Sequence, residues 1–211
     1  MPVQTLAIRQ NPMFTFPAGT RSLLLINVAV FALQYFTEDG LLRYFALWPI
    51  GSAALGAPSF EPWQLITYSF LHDTSTPTHL LFNMLALVMF GGDVERVWGR
   101  NRFLTYYFTC VLSAGLTQVL ATFWEASATP TIGASGGVFG LLLAFGLMFP
   151  RRTILLIFPP IPMPAWLFVT VYGALELVLG VTGAEANVAH FAHLGGMLGG
   201  YLLILYGRAR R

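Results

Sequence analysis

The chain has 211 residues, of which 56% are hydrophobic and only 9% charged, with a formal net charge of +2. A soluble domain carries about 25% charged residues, so these few charges cannot clothe a water-facing surface and lipid must cover much of it. The length suits one domain rather than two, and the small net charge gives no reason to expect nucleic acid as a partner.

All eleven basic residues are Arg. The single cysteine, Cys110, excludes an internal disulfide; set in an apolar run, it is expected to pack as a small hydrophobe. The first twenty residues hold three prolines and Arg9 and lack the continuous apolar core of a cleavable signal peptide. The first span is therefore expected to act as the membrane-targeting signal.

Apolar runs of span-like length, uncharged apart from Glu176 in the fifth, follow at 22–37, 76–92, 103–124, 135–150, 164–181 and 187–207. Helices are expected throughout, because an open strand leaves backbone groups unpaired in lipid. The fold class is thus all-α: six transmembrane helices around a buried polar site. Several runs fall short of the ~20 residues needed to cross hydrocarbon, so either a compact bundle in a locally thinned membrane or helix ends sunk below the surface is expected. The segment 38–75, broken by Gly and Pro, reads as an interfacial outer connection. The inner stretch 151–164 carries Pro159, Pro160, Pro162 and Pro164, so the fifth helix is expected to start near Pro164.

With the N-terminus inside, ten Arg residues fall on the inner side and only Arg43 outside. That asymmetry predicts cytoplasmic termini. The same threading runs the second, fourth and sixth helices from outside to inside. His79 and Asn83, four apart on one helix face, Ser135 at the start of the fourth span and His193 near the start of the sixth then share one depth in the outer half of the membrane. From Ser135 to Pro150 is ~24 Å of helix against ~30 Å of hydrocarbon. Ser135 is therefore expected ~6 Å below the outer boundary, with the preceding loop 125–134 dipping in. Gly136 and Gly140, with Gly195, Gly196, Gly199 and Gly200, form small-xxx-small rows that let backbones approach closely, as a Ser–His hydrogen bond requires.

These residues carry a family resemblance. Gly133-Ala134-Ser135-Gly136 resembles the GxSG motif of rhomboid intramembrane proteases. The run from His79 to Asn83 resembles their HxxxN motif, and that from Ala192 through His193 to Gly200 resembles AHxxGxxxG. Trp63 with His72, and Phe90-Gly91 through Glu95 to Arg102-Phe103, resemble the family's first outer loop and the inner turn after the second span. The likeness runs from about residue 21 to 207, framed by an inner N-terminal segment (1–20) and a basic tail (208–211). It implies a serine endopeptidase that cuts transmembrane protein substrates in the bilayer through a Ser–His dyad. Ser135 would be the nucleophile and His193 the base. His79 and Asn83 would stabilise the oxyanion, and Gly133 and Phe139 would belong to the oxyanion and substrate-binding group. Phe139 is expected against the His193 ring. The implied location is a bacterial inner membrane, with no cofactor and no metal.

Gln64 stands where some members carry Arg, Phe139 where some carry Tyr, and His72 and His79 are spaced a little wider than usual. No acidic partner for His193 is evident. Glu176 falls in the outer half of the fifth span, facing either the outer cavity or a partner. His190 reads as structural or surface-lying and His72 as a loop-ordering group. Two other readings stand beside the protease: a non-catalytic rhomboid-like binder of membrane proteins, which retention of Ser135 and His193 argues against, and a bis-histidine haem protein using His79 and His193, which leaves Ser135 and Asn83 unexplained. A zinc protease lacks its HExxH. The sequence does not specify oligomeric state.

Overall fold

Glycine and proline mark several helix boundaries: Pro17, Pro77, Gly99 and Pro164 stand immediately before helices, and Gly183 immediately after one. In a computed structural model, which describes residues 16–37, 39–123, 127–156, 160–183 and 188–209, all six runs are largely helical. Glu38, Trp124, Glu125, Pro159, Asn187, the N-terminal segment before residue 16 and the last two arginines lie outside the described residues.

Helix α1 (Ala18–Thr37) leads by α2 (Gly40–Phe45) and α3 (Gln64–Thr67) to α4 (Thr78–Ala86). A π-helical turn, Leu87–Gly91, joins α4 to α5 (Gly92–Trp98), and α6 (Arg100–Thr122) follows Gly99. Gly99 takes φ +76°, a conformation that favours glycine at a helix stop. The last three long helices are α7 (Ser135–Met148), α8 (Ala165–Thr182) and α9 (His190–Ala209). Among the described residues, three helices, α1, α6 and α8, are long and apolar enough to cross a membrane. Helix α7 is a shorter apolar helix of 14 residues, or ~21 Å at 1.5 Å per residue. Large apolar side chains such as Leu120, Val181 and Phe36 point outward, as a lipid-facing surface requires.

The inner stretch is more ordered than its prolines suggest. Strands β1 (Thr153–Leu155) and β2 (Pro162–Pro164) form an antiparallel hairpin, with Ile154 opposite Met163. No alternating pattern announces such short strands, and a two-stranded ladder tolerates proline at its edges. Helix α8 then starts directly after Pro164.

The glycine rows divide their work between two neighbours. A Cβ at Gly196 would strike the Gly136 carbonyl of α7, and one at Gly140 would strike Cys110 of α6. Gly195 and Gly199 instead face Thr117 and Ser113 of α6. Ser113 Oγ donates to the Gly195 carbonyl at 2.8 Å, and Tyr106 OH to the Gly140 carbonyl at 2.8 Å. Cys110 is fully buried in this seam. Helices α6, α7 and α9 thus lock backbone to backbone.

Two further ties hold the frame. Glu95 on α5 accepts from the N–H groups of Gly19 and Thr20, both at 2.7 Å, and from Thr20 Oγ at 2.8 Å, capping the first turn of α1. In the outer connection, Gln64 is buried and accepts from the N–H groups of Trp48 and Glu61 while donating to the carbonyls of Tyr44 and Ser59. An uncharged amide suits that enclosed position, where an Arg would bring a charge.

Candidate active site

The site begins with the loop that delivers Ser135. Leu47 and Thr131 exchange backbone hydrogen bonds at 3.0 and 2.9 Å, and Gly133 N–H donates to the Tyr68 carbonyl at 3.0 Å. The 39–75 connection therefore backs the loop before Ser135 and satisfies part of its backbone. Gly133 has φ +121°, and a Cβ there would lie 2.9 Å from His79 Nε2. Both facts demand glycine. Ser135 follows as the first residue of α7, half-buried.

His193 reaches it from the first turn of α9. Its Nε2 lies 2.7 Å from Ser135 Oγ. Phe139, one turn after Ser135, stacks on the imidazole with centroids 4.3 Å apart and planes 6° from parallel. The backbone contact at Gly136 and Gly196 brings the two helices close enough for this bond.

Nδ1 of His193 has a neighbour that the sequence did not announce. Glu176 Oε2, on α8, lies 2.8 Å from it, at ion-pair distance but off the line of a ring N–H, so that Nδ1 has no in-line hydrogen-bond acceptor. The same oxygen lies 2.7 Å from His190 Nδ1 in good hydrogen-bond geometry. His193 thus has an acidic neighbour where none was expected, and His190 is a buried partner of Glu176 rather than a surface group. The signal was present: an ionisable side chain in an apolar span is a flag. Glu176 lies six residues before the end of α8 and His193 three after the start of α9, so the antiparallel pair brings them to one level.

These three residues carry ligand atoms within 4.8 Å of one another, a set that could hold a metal ion. Tetrahedral zinc with ligands at ~2.0–2.1 Å spaces neighbouring donors about 3.3 Å apart. The 2.7 and 2.8 Å separations at Glu176 are shorter than that; the one to His190 is a charge-assisted hydrogen bond and the one to His193 a close polar contact.

His79 and Asn83 share the site's outer flank. His79 Nδ1 accepts the Asp73 N–H at 3.3 Å, so the neutral ring carries its proton on Nε2, the atom beside Gly133. Asn83 Nδ2 donates to the His79 carbonyl at 2.9 Å, which leaves its second N–H uncommitted by that bond. The Asp73 carboxyl is held below its usual range by the N–H and hydroxyl of Ser75. His72 orders the loop through its backbone, whose N–H and carbonyl both bond Gln34. Its buried ring has neither nitrogen paired, and burial, with His79 nearby, pushes its pKa down to about 4.

A cavity of about 490 Å³ extends from Ser135 and Asn83 along the face between α4 and α8, walled by Met89, Phe139 and Tyr172 and floored by Leu155 of the hairpin. Its lining is predominantly apolar.

Residues 59–210 match the family model described as the Rhomboid domain. The chain is 31% identical over 150 residues to the putative rhomboid protease YdcA of Bacillus subtilis, covering 71% of this chain and 69% of that one. This is a rhomboid family protein. It is also similar to the rhomboid protease GluP of Bacillus subtilis, at 34% identity over 143 residues, and to the mitochondrial Rhomboid protein 1 of Saccharomyces cerevisiae, at 34% over 133. Those matches cover 67% and 61% of this chain but only 25% and 37% of the relatives, so the chain spans a quarter of the one and a little over a third of the other. Rhomboid family proteins are integral to membranes, and these relatives include bacterial and mitochondrial members. The mostly helical build and apolar helices of this rhomboid chain agree with that setting.

Proposed function

We propose that this chain is an intramembrane serine endopeptidase that hydrolyses peptide bonds of transmembrane protein substrates. The observation that carries the reading is the 2.7 Å approach of His193 Nε2 to Ser135 Oγ at the end of an apolar groove. Serine is a weak nucleophile without an adjacent base. Here Oγ attacks the substrate carbonyl carbon while its proton passes to Nε2. The carbonyl π electrons move onto oxygen, giving a tetrahedral oxyanion. Nε2–H of His79 and the free N–H of Asn83 flank that oxygen, and the Ser135 N–H at the start of α7 adds a backbone donor. Collapse of the oxyanion breaks the C–N bond as His193 returns the proton to the leaving amine. Water, activated by the same imidazole, then releases the acyl group from Ser135.

The groove suits a substrate segment that has left its own helix, since only an unwound strand offers its carbonyl to Ser135. Helix-breaking residues near the cut should therefore favour cleavage. The domain is taken as 21–207, with six spans, both termini cytoplasmic and a bacterial inner membrane as its setting; the Arg asymmetry supports that orientation. A haem reading needs His79 and His193 nitrogens free for iron, whereas His193 Nε2 is engaged by Ser135. The test is cleavage of membrane-spanning reporters by purified protein in proteoliposomes, wild type against Ser135→Ala; equal turnover by the two would end the proposal.

A further inference from the structure

We propose that Glu176 is the positioning residue of His193, turning the Ser135–His193 pair into part of a Ser–His–Glu triad that His190 braces from behind. The inference rests on the protease reading above, and it departs from a two-residue mechanism.

Four observations carry it. The carboxylate stands between two imidazoles, 2.7 Å from His190 Nδ1 and 2.8 Å from His193 Nδ1. The Phe139 stack fixes the plane of the His193 ring, so that Nε2 faces Ser135 and Nδ1 faces α8. Glu176, His190 and His193 are all buried. The frame there is close-packed, since a Cβ at Gly180 of α8 would come within 3.2 Å of His190 Cβ.

The energetics point the same way. An acid in the outer half of an apolar span is expensive, and for packing alone a well-fitted apolar residue would serve as well or better. The carboxylate is held by the His190 N–H, which fixes its oxygen beside His193 Nδ1. There it favours the tautomer with hydrogen on Nδ1 and a lone pair on Nε2, the one form that can accept the Ser135 proton. As that proton arrives, His193 becomes an imidazolium, and the adjacent negative charge stabilises it. Glu176 itself stays ionised, and no proton moves onto it. The off-line approach of Oε2 to Nδ1 in the resting site is expected to straighten when the imidazolium forms, as catalytic hydrogen bonds commonly tighten beyond their apo geometry.

The charged and titratable groups around His193 are few. Glu176 faces it from α8, His190 lies on its own helix with ring centroids 6.4 Å away, and Ser135 faces it from α7. His79 on α4, with Asp73 before it, forms the remaining flank.

The experiment measures kcat and KM on one transmembrane reporter in proteoliposomes, from pH 5 to 9, for wild type, Glu176→Gln and His190→Asn. It adds the rate at which a fluorophosphonate labels Ser135, which reads nucleophilicity without substrate docking. Glu176→Gln keeps the shape and an acceptor oxygen but removes the charge. We expect kcat and labelling to fall together by about 10–100-fold, less than the ~10⁴ seen when a triad acid gives the wrong tautomer, with KM unchanged. Without the negative charge the imidazolium that forms during attack loses its stabilising neighbour, so the loss should fall on kcat rather than on KM. His190→Asn leaves the carboxylate but loosens it; a fall of about 3–10-fold in the same two rates is expected. This variant also decides the matter if Glu176→Gln does not fold. Unchanged kcat and labelling, or a loss confined to KM, overturns the inference. So does activation of the wild type by a chelator that disappears in Glu176→Gln, since the cluster would then be a metal site. Ser135→Ala run in parallel separates the two claims: if it is inactive while Glu176→Gln matches wild type, only the role of Glu176 falls.

Discussion

Replacing Gly196 by Ala tests whether the α7–α9 contact sets the catalytic distance. The added Cβ would land on the Gly136 carbonyl, which is backbone and cannot rotate aside. Restoring ordinary contact requires the two helices to part by on the order of 1 Å. Ser135 sits on one of them and His193 on the other, and their bond starts at 2.7 Å. That movement takes the pair past ~3.2 Å, the outer range of a good hydrogen bond. A misplacement of this size can cost ~100-fold in rate, and overpacking of this kind costs ~1–3 kcal/mol of stability. The assay is reporter cleavage in proteoliposomes, with thermal unfolding in detergent in parallel. Gly173→Ala on α8 is the control, because its Cβ would meet only the flexible end of Met197 at 3.4 Å; it should match wild type in both. If Gly196→Ala also cleaves and melts like wild type, the seam does not hold the dyad and the packing argument is wrong.

Ser135→Ala and His193→Ala are each expected to abolish cleavage while the protein still folds, and a chelator is expected to leave wild-type turnover unchanged. Loss of either His79 or Asn83 as a donor can cost ~100–1000-fold in kcat; the backbone donor and partial solvation should hold each single alanine variant at the low end or less, and wild-type rates for both would remove them from the oxyanion site. The folded pKa of His72, about 4 against 6.5 when free, means that the unfolded chain binds the proton first. Its contribution is therefore intact above about pH 6.5 and lost as pH falls toward 4, at up to ~1.4 kcal/mol per unit; melting temperature should drop across that window, less steeply in His72→Asn. In a Cys110→Ser background, a cysteine at position 152 should resist an impermeant reagent added outside, whereas one at position 57 should react.

The helices were legible as long apolar runs, and the residues meeting at Ser135 were legible because three motifs follow one another in order along the chain. Glu176 was not. A carboxylate in a span advertises a role but not a partner, and its pairing with His190 and His193 depends on the rotation of α8 against α9, which apolar faces of nearly uniform hydrophobicity do not encode. The π-helical turn at Leu87–Gly91 and the hairpin at 153–164 were hidden for a related reason. Each is only a few residues long, and neighbouring packing, rather than local propensity, decides it. Gln64 was read as a departure from the family, yet its four hydrogen bonds make it the clasp of the outer connection.

The cap on α1 has a consequence for how the chain is made. Glu95 satisfies donors at Gly19 and Thr20 that precede it by 76 and 75 residues. At ~5–20 residues per second of synthesis, the first helix waits about 4–15 s for its acceptor to be translated. During that interval its leading N–H groups must be met by water or lipid headgroups at the membrane surface. The Glu95 cap on α1 can therefore close only after α5 has been made, however early the helix itself forms.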